Sequence, residues 1–458
     1  MLLKSCEKLL VRINILLLTC AVAVVPLIYL PYSQNNQGQL LIRDKYGNII
    51  SNSIKDTIYK PKVDALILIT LCMLVVLYFM IKKEEVRLSW KSFYTPLALF
   101  FGFIVVSTIL SPYKVVAIYG KNMRCEGLLV VASYLVLFLV AMNLVKDKVY
   151  LKQIVKYLII SGVIISIYGL LQYFGFDFIP RDPYREHWNH RAFSTLGNPD
   201  FAGSYVSMLL PLSFILYYYV ERNNKKLFLL GTITTIFYTF MLATGTRSTY
   251  LAMLCLIPIG YYFIKNDLAN KKKRFVLIML VFIIITLFFN YINQGYLLNR
   301  FISIFLDGKA LLWGNEQEVN SAGSYRMLIY KTSVPLLFKH PWFGQGLDTF
   351  HKVYPQEIYQ NFTGNKNIIL DKAHCEYLQL GITVGIPALI AYLWFLFRVI
   401  KFNLKSVSVK DKYHLALLIA VLGYLIQATF NISVVSVAPV FWVLMGLSIS
   451  CCNFLQDN

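Results

Sequence analysis

The sequence predicts an all-α polytopic membrane protein, and three observations carry that prediction. Hydrophobic residues make up 57% of the 458 positions, giving a mean hydropathy of +0.59. Charged residues reach only 15%, where a soluble domain carries about a quarter. Apolar runs of about 17–25 residues, the length that takes a helix across the hydrocarbon core, recur along the whole chain.

The first run, 13–30, follows Lys4, Lys8 and Arg12. Ala21-Val22-Ala23 imitates a signal-peptide cleavage site. The run continues through Val24–Leu30, which favours an uncleaved span with a cytoplasmic N-terminus. Further runs lie near 64–81, 95–110, 127–145, 153–173, 199–219, 227–244, 248–264, 275–290, 376–397, 414–430 and 433–453. About twelve transmembrane helices result, with both termini cytoplasmic.

Charge checks the orientation. Alternate short loops are basic: Lys82-Lys83 with Arg87 and Lys91, then Lys146, Lys148 and Lys152, then Arg222 to Lys226. Lys271-Lys272-Lys273-Arg274 follows, and later Arg398, Lys401, Lys405, Lys410 and Lys412. The formal net charge of +21 thus reflects orientation in a bilayer, and no nucleic-acid partner is expected. Cys20, Cys72, Cys255, Cys451 and Cys452 sit in apolar runs as small hydrophobes, and no CxxC or Cys/His zinc spacing occurs.

The outward loops are the informative remainder, at 34–62, 111–126, 175–201, 244–248 and 291–374. The organisation expected is a transmembrane bundle of nine spans over 1–290, an extracytoplasmic loop subdomain over 291–375, and spans ten to twelve over 376–458. A loop this long is usually functional. These loops also keep Lys114, Lys121, Arg124, Arg181, Arg185, Arg191, Arg247, Arg300 and Arg326 on a side where orientation does not call for them. An anionic ligand and the outer leaflet surface explain the set about equally well. Arg247 differs, because its turn is so short that the guanidinium must sit at the helix ends, and an ionisable group at membrane depth points to function.

Within the long loop, Ser324 is the expected cap of a helix opening at Tyr325, with Asn320 or Ser321 as alternatives. Arg326 then lies at its N-terminus, where free N–H groups and the helix dipole favour an anion. Spacing alone favours a solvated surface arginine. Pro335 should shorten that helix. His340-Pro341-Trp342-Phe343-Gly344-Gln345-Gly346 reads as a turn whose aromatic pair packs or meets the bilayer interface. His374, at the boundary of the tenth span, suits a general base near neutral pH. His351, His187 and His190 compete with it, and spacing does not choose among them. No paired carboxylate cluster, metal-ligand spacing or glycine-rich phosphate loop appears, so no metal and no cofactor are expected.

Five segments in order resemble the bacterial O-antigen ligase and O-antigen polymerase superfamily: YGKNMRCEGLL (119–129), LGNPDFAGSYVSMLLPL (196–212), ATGTRSTYLAM (243–253), SYRMLIYKTSVPLLFKHPWFGQGLDTF (324–350) and AHCEYLQLGITVGIPALI (373–390). The resemblance implies a GT-C-like glycosyltransferase at the outer face of the cytoplasmic membrane. Its donor would be an undecaprenyl-pyrophosphate-linked glycan, and its acceptor a glycan, lipid or protein. It implies that Arg247 and Arg326 hold the pyrophosphate and that His374 activates the acceptor hydroxyl. Arg124 and Asn198 fall in family-like patches as further substrate contacts. The family usually carries Asn where this chain has Cys375, and often Trp where it has Tyr330. Direct displacement with inversion is expected, since no paired carboxylates offer a covalent nucleophile. A lipid-linked oligosaccharide flippase or transporter is the alternative; it would favour mid-span ionisable residues and internal repeats, and the spans are nearly free of charge.

Overall fold

A computed structural model describes residues 2–30, 40–43, 49–53, 56–82, 92–179, 191–221, 223–407 and 411–454. Lys83, Arg87, Lys91, Arg181, Arg185, His187, His190, Arg222 and Lys410 lie outside the described residues. Among the described residues, α1 (Leu2–Ala23) precedes an antiparallel hairpin, β1 (Leu40–Arg43) and β2 (Ile49–Ser53), in which Leu40 faces Ser53. Next come α2 (Tyr59–Lys82), α3 (Tyr94–Leu110), α4 (Lys114–Tyr119), α5 (Leu128–Leu144) and α6 (Lys148–Tyr173). The middle of the chain forms α7 (Pro199–Tyr218), α8 (Asn224–Thr244), α9 (Arg247–Ile264) and α10 (Leu268–Ile292). The long loop folds as α11 (Tyr296–Trp313), α12 (Glu316–Ser321), α13 (Arg326–Ser333), α14 (Phe350–Val353) and α15 (Gln356–Thr363). The chain closes with α16 (Glu376–Val384), α17 (Ile386–Ser406), α18 (Lys412–Ala428) and α19 (Ala438–Phe454).

Helices α1–α3, α5–α10 and α17–α19 fall on the apolar stretches of the sequence. Among the described residues, seven stretches are long and apolar enough to cross a membrane; the longest, Arg247–Ile292, is divided into α9 and α10 by a 3₁₀ turn at Lys265–Asp267. Helices α3, α5, α18 and α19 are shorter, at 17 residues each. Apolar side chains face outward along the long helices, as lipid-facing surface requires: Leu68 of α2, Ile109 of α3, Ile257 of α9, Ile284 of α10 and Ile390 of α17 are all exposed. The chain is a multi-pass membrane protein of all-helical character.

Helix α7 is the centre of the bundle, with 94% of its spanning window buried. Small residues allow its neighbours to approach closely, as helix pairs in lipid require. A Cβ on Gly423 of α18 would lie 2.4 Å from the Ser207 carbonyl oxygen. Polar side chains stitch the same helices together: Ser204 donates to Gln427, whose amide donates to Ser248 Oγ at 3.2 Å. α7 is therefore held on several sides, and its N-terminus is a fixed point for whatever packs there.

Two sequence expectations change. The tenth span, expected over 376–397, is broken at Gly385, which has φ +109°. The Trp342 carbonyl oxygen would stand 2.4 Å from a Cβ at this position, so only glycine fits. The turn at 340–346 clamps the break: Gln345 and Gly346 donate to the Thr383 carbonyl at 3.0 and 2.8 Å, and Ile386 donates to the Pro341 carbonyl at 2.7 Å. In that turn Phe343 packs toward Phe103 with ring centroids 6.3 Å apart, while Trp342 is 69% exposed. The second change concerns the loop expected at 34–62. It contains the β1–β2 hairpin, and α2 begins within it, so Lys62 is a fully buried helical residue. Its ammonium donates to the Thr195 carbonyl at 2.5 Å and to Ser436 Oγ at 3.2 Å.

The long loop packs against α16 in a separate apolar cluster formed by Leu328, Ile329, Leu336, Phe350, Tyr354, Tyr359, Leu370 and Ala373 of the loop with Ile382 of α16. Its ordering rests on this core as well as on contacts to the bundle.

Candidate active site

The helix from Pro199 starts where it does because Asn198 and Pro199 supply a cap and a proline at the first helical position. The Asn198 side chain accepts from the Asp200 N–H at 2.8 Å. That fixes Asp200 in the first turn, and its carboxylate is shared by two arginines. Arg191 Nη2 lies 2.9 Å from Oδ1, and Arg326 Nη2 lies 2.9 Å from Oδ2. Asn431 adds a bond from its amide to the Asp200 carbonyl at 2.9 Å.

The turn between α8 and α9 approaches the same point. Gly245 takes φ +60°, which closes α8 and lets α9 open at once with Arg247. Thr246 Oγ1 donates to the Pro199 carbonyl at 3.0 Å. Arg191 Nε donates to the Thr244 carbonyl at 2.8 Å, and Arg300 Nη2 donates to the Gly245 carbonyl at 2.9 Å. Arg247 turns toward the long loop: Nη1 reaches Asp307 Oδ2 at 2.7 Å and Ser303 Oγ at 3.0 Å, and Nη2 donates to Ser324 Oγ at 2.7 Å.

Ser324 is thus not the helix cap expected from the sequence. The helix starts one residue later, at Arg326, after Ser324 (φ +59°) and Tyr325 (φ +66°), and Tyr325 caps it without a side-chain bond. The hydroxyl that would have capped the helix accepts from Arg247 instead. Pro335 shortens the helix as expected, converting it to 3₁₀ over Val334–Phe338.

Three helix N-termini therefore meet, those of α7, α9 and α13, linked by Thr246–Pro199, Arg326–Asp200 and Arg247–Ser324 bonds. Among the described residues, four guanidiniums (Arg191, Arg247, Arg300 and Arg326) stand against two carboxylates (Asp200 and Asp307), leaving two positive charges in surplus. Such a concentration of cations and helix dipoles has the chemistry to hold an anion with several oxygens.

His374 lies in the segment just before α16, with φ +52°. Tyr330 of α13 holds it from the loop side, its hydroxyl donating to the His374 carbonyl at 2.8 Å and to the Thr429 carbonyl at 3.2 Å. Nδ1 of His374 is buried and has no hydrogen-bond partner among the described residues. Burial and then the Arg326 guanidinium push its pKa down to about 4, against the opposing pull of Asp200 and Asp371. The imidazole is neutral at ordinary pH, with a nitrogen free to take a proton. Backbone strain and an unsatisfied buried nitrogen are features that concentrate at functional positions.

Arg124 does a different job. It pairs with Asp371 (Nε to Oδ2, 2.9 Å) and stands 5.8 Å from the centre of the Phe201 ring. Asp371 is held below the usual carboxylate range, burial notwithstanding, by Arg124 and then Lys121. Next to it, Lys372 binds Asp348 at 2.6 Å, and Asp348 Oδ2 also accepts from the backbone N–H of Lys121 (2.7 Å) and of Glu126 (3.2 Å). Both residues ahead of His374 are therefore anchored to the 121–126 segment. Glu126, raised to about 7 by burial, accepts from Tyr134 at 2.7 Å beneath this joint.

Of the five site residues named from the sequence, Arg247 and Arg326 converge around Ser324 and Asp200, and Arg326 acts electrostatically on His374. Asn198 caps the helix that carries Asp200, and Arg124 braces the segment leading to His374. Of the competing histidines, His351 faces Lys121, Lys352 and Asp348 rather than the arginine cluster, and His187 and His190 lie outside the described residues. Cys375 caps α16 without a side-chain bond, and burial raises its thiol pKa. Sequence reasoning missed Arg191, Arg300, Asp200 and Asp307 as members of the site. The two arginines were visible as outer-face cations that orientation does not require; the two aspartates carried no local signal.

Residues 231–393 match a family model described as O-antigen ligase. Over residues 231–393 the chain is similar to an O-antigen ligase domain, which supports a relation to the O-antigen ligase/polymerase superfamily. A comparison with curated proteins returns no match. The matched segment contains Arg247, Arg300, Asp307, Arg326 and His374, while Arg124, Arg191, Asn198 and Asp200 precede it. The ligase domain, set in a bundle of membrane-length helices, supports a glycosyltransferase-type role in joining glycans at a membrane.

Proposed function

We propose that the protein transfers a glycan from undecaprenyl pyrophosphate to an acceptor hydroxyl at the outer face of the cytoplasmic membrane, without a metal. The observation that carries this reading is the surplus of two positive charges beside a neutral histidine with a buried free nitrogen. Arg247 and Arg326 hold the pyrophosphate, with Arg191 and Arg300 adding to the field. As the bond from the anomeric carbon to the pyrophosphate oxygen lengthens, charge builds on that oxygen. Fixed guanidiniums and helix N-termini stabilise it without reorganising. The acceptor oxygen attacks the opposite face and gives its proton to His374, so the anomeric centre inverts. Arg124 and Asn198 contribute by placing His374 and Asp200 in the donor site.

The reading includes twelve crossings, cytoplasmic termini, and the three-part division at 290 and 375. It also includes an acceptor that is glycan, lipid or protein. Reconstitution of the purified protein with an undecaprenyl-pyrophosphate oligosaccharide, followed by gel separation, tests it. A ladder indicates polymerisation of repeat units, and a single shifted acceptor band indicates ligation. Intact donor after prolonged incubation with a range of glycan and lipid acceptors contradicts the reading.

A further inference from the structure

At the end of the bundle far from the arginine site, where α7 and α9 finish and α10 begins, two cavities of about 1620 and 920 Å³ lie side by side. They meet at Val220, Glu221 and Lys412, which line both. Among the described residues their rim holds eight cations, the run Lys271–Arg274, Lys412, and Lys152, Lys156 and Lys226, and the acidic lining residues are Glu221 and Asp267. Orientation in the membrane explains why lysines lie at this end. It does not explain why they converge from α6, α8, α10 and α18 around one space.

Several of the groups are fixed in place. Lys271 Nζ stands 3.8 Å from the centre of the Tyr219 ring, and Lys412 reaches the Tyr219 carbonyl at 3.4 Å. The Arg274 guanidinium donates to the Val220 carbonyl, while Tyr217 donates to the Arg274 carbonyl at 3.1 Å. Asp267 is occupied by the Tyr219 hydroxyl at 3.0 Å. Below this rim the walls turn apolar and open outward: Leu277 is 60% exposed, Leu280 51%, Ile164 50% and Leu229 57%. A cationic mouth continuous with exposed apolar walls has the shape of an amphiphile with a negative head.

We infer that this double cavity binds an anionic phospholipid of the leaflet opposite the active site. The head-group phosphate lies among Lys271, Lys273, Arg274 and Lys412, and the acyl chains run along Leu277 and Leu280. Basic pockets between spans are a known way to hold such head groups. A free phosphate would leave the apolar walls exposed, so the lipid is the occupant the lining favours. By bridging α10 and α18 the lipid would tie together two helices that pack on α7, whose opposite end carries Asp200.

The test uses the full-length protein in a neutral detergent, titrated with phosphatidylglycerol, phosphatidylcholine or inorganic phosphate while Tm and binding are followed. Saturable binding and a rise in Tm with phosphatidylglycerol alone are expected. The K271Q/K412Q variant should bind it roughly thirtyfold more weakly, each lysine near the surface adding about a factor of five. The K401Q/K405Q variant, which removes two cations of the same face outside the cavity, should bind as the parent does. Equal effects of phosphatidylcholine, an equal loss in both variants, or an equal rise in Tm with inorganic phosphate would overturn the proposal. Should K271Q/K412Q fail to fold, photo-crosslinkable phosphatidylglycerol on the parent protein still decides. Labelling of the 263–280 peptide supports the site, and labelling confined elsewhere refutes it.

Discussion

Replacing Arg326 by glutamine should move the acid limb of the pH–rate profile upward. The physical chain starts at His374, whose ordinary pKa of about 6.5 is pushed down to about 4 by burial first and Arg326 second. The sign follows from which form acts. A general base works deprotonated, so its activity is present above the folded pKa and is lost as pH falls through it. In the parent protein kcat/KM should therefore hold to well below pH 6 and halve near about 4. R326Q removes the cation and frees Asp200 Oδ2 from its 2.9 Å ion pair, so both changes favour the imidazolium. Burial remains, and the limb should move only part of the way from about 4 toward about 6.5. The same substitution removes a donor to the leaving pyrophosphate, which lowers the plateau by roughly 10²–10³-fold, or about 2.7–4 kcal/mol. The assay is initial transfer rate against pH on one donor for both proteins, so that ionisation of the donor cancels in the difference. A limb at the same pH in both proteins, or one already near 6.5 in the parent, would refute this electrostatic account of His374.

His374→Ala should lower transfer by at least about 10²–10⁴-fold while donor affinity, measured by equilibrium binding, stays within a few-fold. Tyr330→Phe removes the bonds of 2.8 and 3.2 Å to the His374 and Thr429 carbonyls; the cost should be about 1–3 kcal/mol of stability, read as a lower Tm, together with a fall in kcat. Gly385→Ala forces a Cβ to within 2.4 Å of the Trp342 carbonyl oxygen at φ +109°, and the protein should unfold at lower temperature or fail to accumulate. Arg124→Gln breaks the 2.9 Å pair with Asp371 and should reduce kcat with little change in donor affinity, because it frees the segment before His374 and leaves the arginine cluster intact.

Helix positions were legible because length and hydropathy are local properties, and among the described residues the long helices fall on the apolar runs. The break in the tenth was signalled by Gly385 followed closely by Pro387, a common helix start, but the apolar run across it hid the signal. Pairing at the site was not legible. Arg326 meets Asp200 across 126 positions, and Arg247 meets Asp307 across 60, distances over which no sequence period speaks. The resemblance supplied Arg247, Arg326 and His374, while the carboxylates that hold the arginines came only with the fold. Arg124 and Asn198 illustrate a further limit. Both lie at the site, yet their contacts are to protein groups that position others. Ser324 shows the same in reverse, since a residue with the composition of a helix cap is taken up by a guanidinium.

The central claim is that fixed arginines and a neutral histidine perform glycan transfer from a lipid pyrophosphate. It is tested most directly by following one labelled undecaprenyl-pyrophosphate oligosaccharide in liposomes containing the purified protein, with chelator present. The account predicts that undecaprenyl pyrophosphate is released in step with glycan joined to acceptor. It also predicts that both signals vanish in H374A and in the R247Q/R326Q variant. Transfer that persists in H374A, or that stops in the parent protein when chelator is added, would contradict it.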